Sequence, residues 1–286
     1  MIKPIGGTTD RELLLVLVKS TVRDMPGKNS NDIYFFLITA IVGTLLFCSG
    51  CAIRSVYVPL SHNVPLFDSN KQIKASGFIG TNHVELQAAH NPIDHFAIAT
   101  NIYFGAGISN YDLAIGTYGF KKNATWRYEL FGGYGYNSNI DFNGGNILSA
   151  SQKVSYDVNS LYHRFYVQPA VGFFSKINMY KIKYSFSLSA KVSYLYFKEY
   201  LYQEIDKARS TPGNPVYIIN KEYQNKEIYT LEPCLTNKVG IKNVSVILQV
   251  QTITPYSAQI DVRNTKFSPV AYFSIGIEYI FTFKVK

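Results

Sequence analysis

From Ile182 to Tyr196 every even position is apolar or aromatic: Ile182, Tyr184, Phe186, Leu188, Ala190, Val192, Tyr194, Tyr196. The odd positions from Lys181 to Ser193 are Lys or Ser. A period of two over this length predicts a β-strand with one apolar and one polar face. Strands of soluble sheets run to about five or six residues, and this one is several times longer. Tyr184 stands near one end of the apolar face, with Tyr194 and Tyr196 near the other. Aromatic girdles around an apolar band are the pattern of a membrane-spanning barrel strand.

The same alternation recurs along the chain. It predicts about ten strands, at 72–80, 83–90, 95–105, 111–120, 124–136, 160–175, 180–200, 227–241, 243–255 and 268–284. Trp126, Tyr128, Leu130 and Tyr134 alternate with Arg127, Glu129 and Gly133, and Phe165, Val167, Val171 and Phe173 with Arg164, Gln168 and Gly172. In the stretch 111–120 both faces are mixed. The connections sort by parity. Those after even strands are tight, as in Lys242-Asn243. Two after odd strands are long, Asn137 to Asn159 and Leu201 to Lys226, and the one near Tyr256 to Phe267 is intermediate. Outer-membrane barrels have short periplasmic turns and long outer loops. The expectation is an all-β fold: an antiparallel up-and-down transmembrane β-barrel of about 8–10 strands over residues 72–286, both termini on the turn side. Aromatics alternating through Tyr279, Phe281 and Phe283 resemble the C-terminal recognition signal of such barrels.

The segment before the barrel predicts export. Met25-Pro-Gly-Lys28 is a short basic region, Tyr34 to Phe47 an apolar one, and small residues follow, so 25–50 reads as a cleaved signal segment. Residues 1–24 are then an upstream artefact or an extended basic region. Ser49-Gly50-Cys51 resembles the lipobox of bacterial lipoproteins, with Cys48 where that motif usually has Leu. The resemblance implies acylation of Cys51. No acidic run follows Cys51, which implies a lipid anchor on the periplasmic side. Residues 51–71, with Pro59 and Pro65, read as an extended linker, or as a segment tucked into or under the barrel. Val64-Pro65-Leu66-Phe67 followed by Gly77 to Ala89 resembles a family of Bacteroidota outer-membrane barrel lipoproteins with no assigned activity. It implies outer-membrane lipid, barrel-assembly machinery and lipoprotein-sorting machinery as partners.

Composition changes this picture little. Aromatics are 15% and charged residues 16% of 286 residues, against about a quarter charged in soluble domains. The net charge of +9 is spread along strands and turns rather than gathered in a patch, which disfavours nucleic acid and suits lysines facing lipid head groups. Parity sends Glu85, Arg127, Glu129, Arg164, Lys181, Lys183, Lys191, Glu232, Lys238 and Glu278 inward, as a polar network in the lumen. Cys234 also points inward. His163 faces lipid beside Ser160 and Tyr162, and nothing fixes the partner a hydrolytic site would need. His83, His90 and His95 share no face at metal-ligand spacing, so neither a metal nor a cofactor is expected. The leading expectation is a non-catalytic structural or surface-interaction scaffold. The alternatives are a narrow pore for small solutes, a lipid-modifying enzyme, or a soluble periplasmic barrel around an apolar ligand.

Overall fold

The computed structural model describes residues 57, 59–69, 71–80, 83–105, 108–120, 125–139, 154–177, 182–206, 209–211, 214, 216–257 and 271–282. Eleven strands follow in chain order: β1 (Gln72–Gly80), β2 (His83–Ile93), β3 (Phe96–Gly105), β4 (Ile108–Phe120), β5 (Trp126–Asn139), β6 (Val154–Ile177), β7 (Ile182–Asp206), β8 (Tyr217–Ile241), β9 (Val244–Thr252), β10 (Thr254–Tyr256) and β11 (Ala271–Thr282). From β1 to β9 each strand pairs antiparallel with the next, β10 pairs with β8, and β11 pairs with both β9 and β1, so the sheet closes on itself. β9 and β10 continue one another in the same register against β8, as Cys234↔Gln251 and Leu231↔Thr254. The ladder lapses between them opposite Pro233, which has no N–H to donate. Eleven strands less one continuation leaves a barrel of ten. Gln72 pairs with Thr282, so both ends of the sheet lie on the side of the tight turns.

Alternation decides what faces where. Leu113, Leu130, Val167, Leu188, Val192, Val246 and Ile277 are exposed on the outside. The turn side carries Trp126 against Phe173 and Tyr279 against Phe281. The loop side carries Tyr134, Phe165, Tyr194 and Tyr229 in consecutive ring contacts. Tyr184 and Tyr194 stand ten residues apart on β7. At about 3.3 Å per residue and a tilt of about 40°, that is about 25 Å of height, which matches the apolar band of an outer-membrane barrel.

The strands outrun their expected ends on the loop side. β6, β7 and β8 continue as a three-stranded extension, pairing Val154↔Asp206 and Ile205↔Tyr217. Residues 137–139, 154–159, 201–206 and 217–226 are therefore strand rather than loop, because each extension satisfies its neighbour's backbone groups. A bulge at Lys198 on β7 opposes the Leu161–Tyr162 step of β6. It flips the parity, so that Leu195 and Phe197 below it and Tyr200 and Tyr202 above it all face inward. With Val158, Tyr162, Ile228 and Tyr57 they form one buried cluster over the loop-side mouth.

Candidate functional site

The lumen is filled by the chain's own segment Tyr57–Asp68 rather than by side chains alone. Tyr57, Leu60, Ser61, His62, Val64, Leu66 and Phe67 are each at most 3% exposed. Side chains of the wall hold this segment by its backbone. Gln251 donates to the Leu60 carbonyl, Gln87 and Asn101 to that of Ser61, Gln249 to that of His62, and Gln168 to that of Asn63. Lys74 donates to the carbonyls of Pro65 and Leu66, and Arg127 to that of Phe67 at 2.6 Å. Glu85 and Glu129 accept from the N–H groups of Ser61 and Phe67. From Leu60 to Phe67 only the Val64 carbonyl lacks such a donor among these contacts. Pro59 and Pro65 remove two N–H groups that the wall would otherwise have to satisfy.

The segment's side chains fix its position. Tyr57 donates to Glu232 at 2.5 Å and accepts from Arg164 at 2.9 Å. The His62 Nδ1 lies 2.7 Å from the Ser189 hydroxyl. The Asn63 amide donates to the Asn101 side chain at 3.0 Å. Phe67 enters a hollow floored by Ala89, Ala97, Ala99 and Ala114 and walled by Tyr118 and Phe131. Ala114 is the part of this hollow that blurs the pattern of β4. Its inward face is small where the segment needs room, and its outward face keeps Tyr111, Leu113 and Ile115 exposed.

The wall is ionic in both signs. Among the described residues the buried cations are Lys74, Arg127, Arg164, Lys191 and Lys238, and the buried anions Glu85, Asp112, Glu129, Glu232 and Glu278, five against five. Arg164 pairs with Asp112, both side chains fully buried, and Lys238 with Glu278 at 2.7 Å. Lys191 lies 4.9 Å over the Tyr166 ring, and its amine has no hydrogen-bond partner among the described residues. Of the residues that parity sends inward, Glu85, Arg127, Glu129, Arg164, Lys191, Glu232, Lys238 and Glu278 are buried in this network. Lys183 is half-buried, and Lys181 lies outside the described residues. Lys74 and Asp112 belong with them and were missed. Ile73 and Ile79 give the parity that turns Lys74 inward, and Tyr111 and Leu113 give that of Asp112. The inward glutamines on β2, β6 and β9 were legible as polar positions, but not as readers of a peptide backbone.

The other candidates fall elsewhere. His163 bonds Tyr134 at 2.7 Å and contacts the Tyr136 ring, within the loop-side girdle. His90 bonds the Gln72 carbonyl, and His95, at a φ of 62°, bonds that of Tyr118. The side chain of His83, and Cys51 entirely, lie outside the described residues. Cys234 is a buried free thiol facing the lumen. Among the described residues no His, Cys, Asp and Glu side chains group as a metal site.

An apolar outside, aromatic girdles and a polar inside define a transmembrane β-barrel, here with its interior occupied by its own chain. No family model and no curated protein matches the sequence. Solved outer-membrane barrels share the fold distantly. The KdgM porin is 9% identical over 73% of this chain and 98% of its own, at a TM-score of 0.27. The NanC porin is 9% identical over 75% and 100%, at 0.28. The OmpT outer-membrane protein of Vibrio cholerae is 9% identical over 74% and 78%, at 0.22. Superposition at this level carries no functional information.

Proposed function

We propose that this is an outer-membrane barrel forming a narrow pore for small solutes, held closed by the segment Tyr57–Phe67. The observation that carries this is the chemistry of the wall. A permanent filling is cheapest when apolar, because a buried polar group without a partner costs about 1–3 kcal/mol. Here the wall keeps five cations and five anions. It also keeps buried polar atoms that the segment does not satisfy, among them the Lys191 amine, the Arg164 Nε and one oxygen each of Glu129 and Glu232. Such a surface suits a lumen that must also accept water. The wall grips the segment mainly through carbonyls, which any extended chain offers and water can replace. An extended chain occupies about 5 Å by 10 Å in cross-section, so its departure would leave a path for small solutes only.

Conductance in planar bilayers tests this. Residues 57–67 are replaced by a Gly/Ser run of equal length, and folding is followed as the faster gel migration of the unboiled barrel. The replaced protein is expected to conduct steadily where the native protein is mostly silent. A folded, silent variant would remove the pore reading. It would leave the scaffold reading, which one observation favours: the extension of β6–β8 stands above the loop-side girdle and exposes Glu199, Asn220, Glu222 and Gln224 beside Tyr217 and Ile218.

A further inference from the structure

We infer that the chain threads the barrel from the loop face to the turn face, so that a lipid carried on Cys51 would be delivered to the loop face. The direction is fixed at both ends and in between. Tyr57 bonds Arg164 and Glu232 and packs on Tyr162, at the level where the loop-side girdle passes and β6–β8 begin to rise. Leu60 and His62 follow against Gln251 and then Gln249, descending β9 toward its turn with β8. Ser61 stands beside Glu85 near the loop end of β2. Leu66 and Phe67 lie at Arg127, close to the start of β5 on the turn side. Asp68 exchanges bonds with Gln72, the first residue of β1. The Lys71 N–H bonds the Asn91 carbonyl as the chain reverses at a positive φ of 56°. From there β1 climbs back beside the segment that has just descended.

Chain length then decides where residue 51 lies. Six residues separate Cys51 from Tyr57 and reach about 21 Å when fully extended. Return to the turn side would need about 25 Å of apolar band, through a lumen already occupied. A lipid on Cys51 would therefore enter the leaflet next to the loops. This is opposite to the periplasmic anchor that the residues after Cys51 imply. The inference does not depend on whether the lumen ever conducts.

Three single-cysteine reporters test it in intact cells with a membrane-impermeant maleimide, each read against the unsubstituted protein. Arg209→Cys reports the loop face, where Arg209 is 71% exposed. Lys242→Cys reports the turn face, in the exposed β8–β9 turn. Ser55→Cys is the unknown. Threading predicts that Ser55→Cys labels under the conditions that label Arg209→Cys, with Lys242→Cys labelled only after permeabilisation. The inference is overturned if Ser55→Cys labels with Lys242→Cys, or in neither condition. Faster migration of each unboiled reporter confirms that the barrel has formed.

Discussion

Replacing Arg164 by Met is expected to destabilise the barrel by about 3–5 kcal/mol, the cost of leaving a buried partner charge uncompensated. Arg164 and Asp112 have no exposed side-chain surface and are each other's ion partner. The same guanidinium donates to the Tyr57 hydroxyl and lies 5.5 Å over the Tyr166 ring. One side chain thus joins β4, β6 and the lumen segment. A Cβ on Gly135 would sit 2.0 Å from an Asp112 oxygen, so the glycine at that position makes room for the pair. Arg164→Lys should recover little, because an ammonium cannot serve both acceptors with a planar fork. Arg164→Met combined with Asp112→Leu should recover most of the loss, since neither member of the pair is then left without the other. The readout is the temperature at which the fast-migrating unboiled form converts to the slow one. An unchanged temperature for Arg164→Met would show that the pair lies in water.

The second large effect is expected at Gly172, on the inward face of β6. A Cβ there would lie 2.7 and 2.8 Å from the two terminal methyls of Leu66, and its three nearest atoms all belong to that side chain. Gly172→Leu therefore collides first with the lumen segment. Overpacking of this kind costs about 1–3 kcal/mol. If that cost falls on the seated segment, channel openings should become about five- to hundredfold more frequent, at about 1.4 kcal/mol for each factor of ten. Leu66→Ala in the same chain vacates the space and should restore the native silence. A Gly172→Leu protein that folds and stays as silent as the native one would mean that the segment does not hold the pore shut.

The wall was legible in the sequence because a membrane barrel writes its two solvents into alternate residues. β7 shows this best: its even residues from Ile182 to Tyr196 face lipid and its odd residues from Ser185 to Ser193 face the lumen. Legibility failed where a third surface intervened. The inward alanines of β2, β3 and β4 look like lapses in the pattern until Phe67 is seen among them. The bulge at Lys198 breaks parity by one residue, and no local signal marks it. The segment Tyr57–Asp68 has two prolines and no period, so it reads equally as a linker or as a piece tucked into or under the barrel. Its burial comes from donors that lie far away along the chain, such as Gln249 and Gln251. The ion pair of Arg164 and Asp112 joins two strands that are not adjacent, and alternation within a strand cannot choose such partners.

The central claim is that the chain's own segment occupies the lumen, running from the loop face to the turn face. Photo-cross-linking tests it most directly. A photoreactive phenylalanine analogue is placed at Leu60 or at Leu66 in the full chain, and the cross-linked peptides are mapped after irradiation of intact membranes. Occupancy predicts cross-links within the same chain: from position 60 to β9 around Gln251, and from position 66 to β6 around Gly172. The same two sites with their partners exchanged would reverse the direction of the thread. Cross-links only to lipid or to other proteins would place the segment outside the barrel and contradict the account.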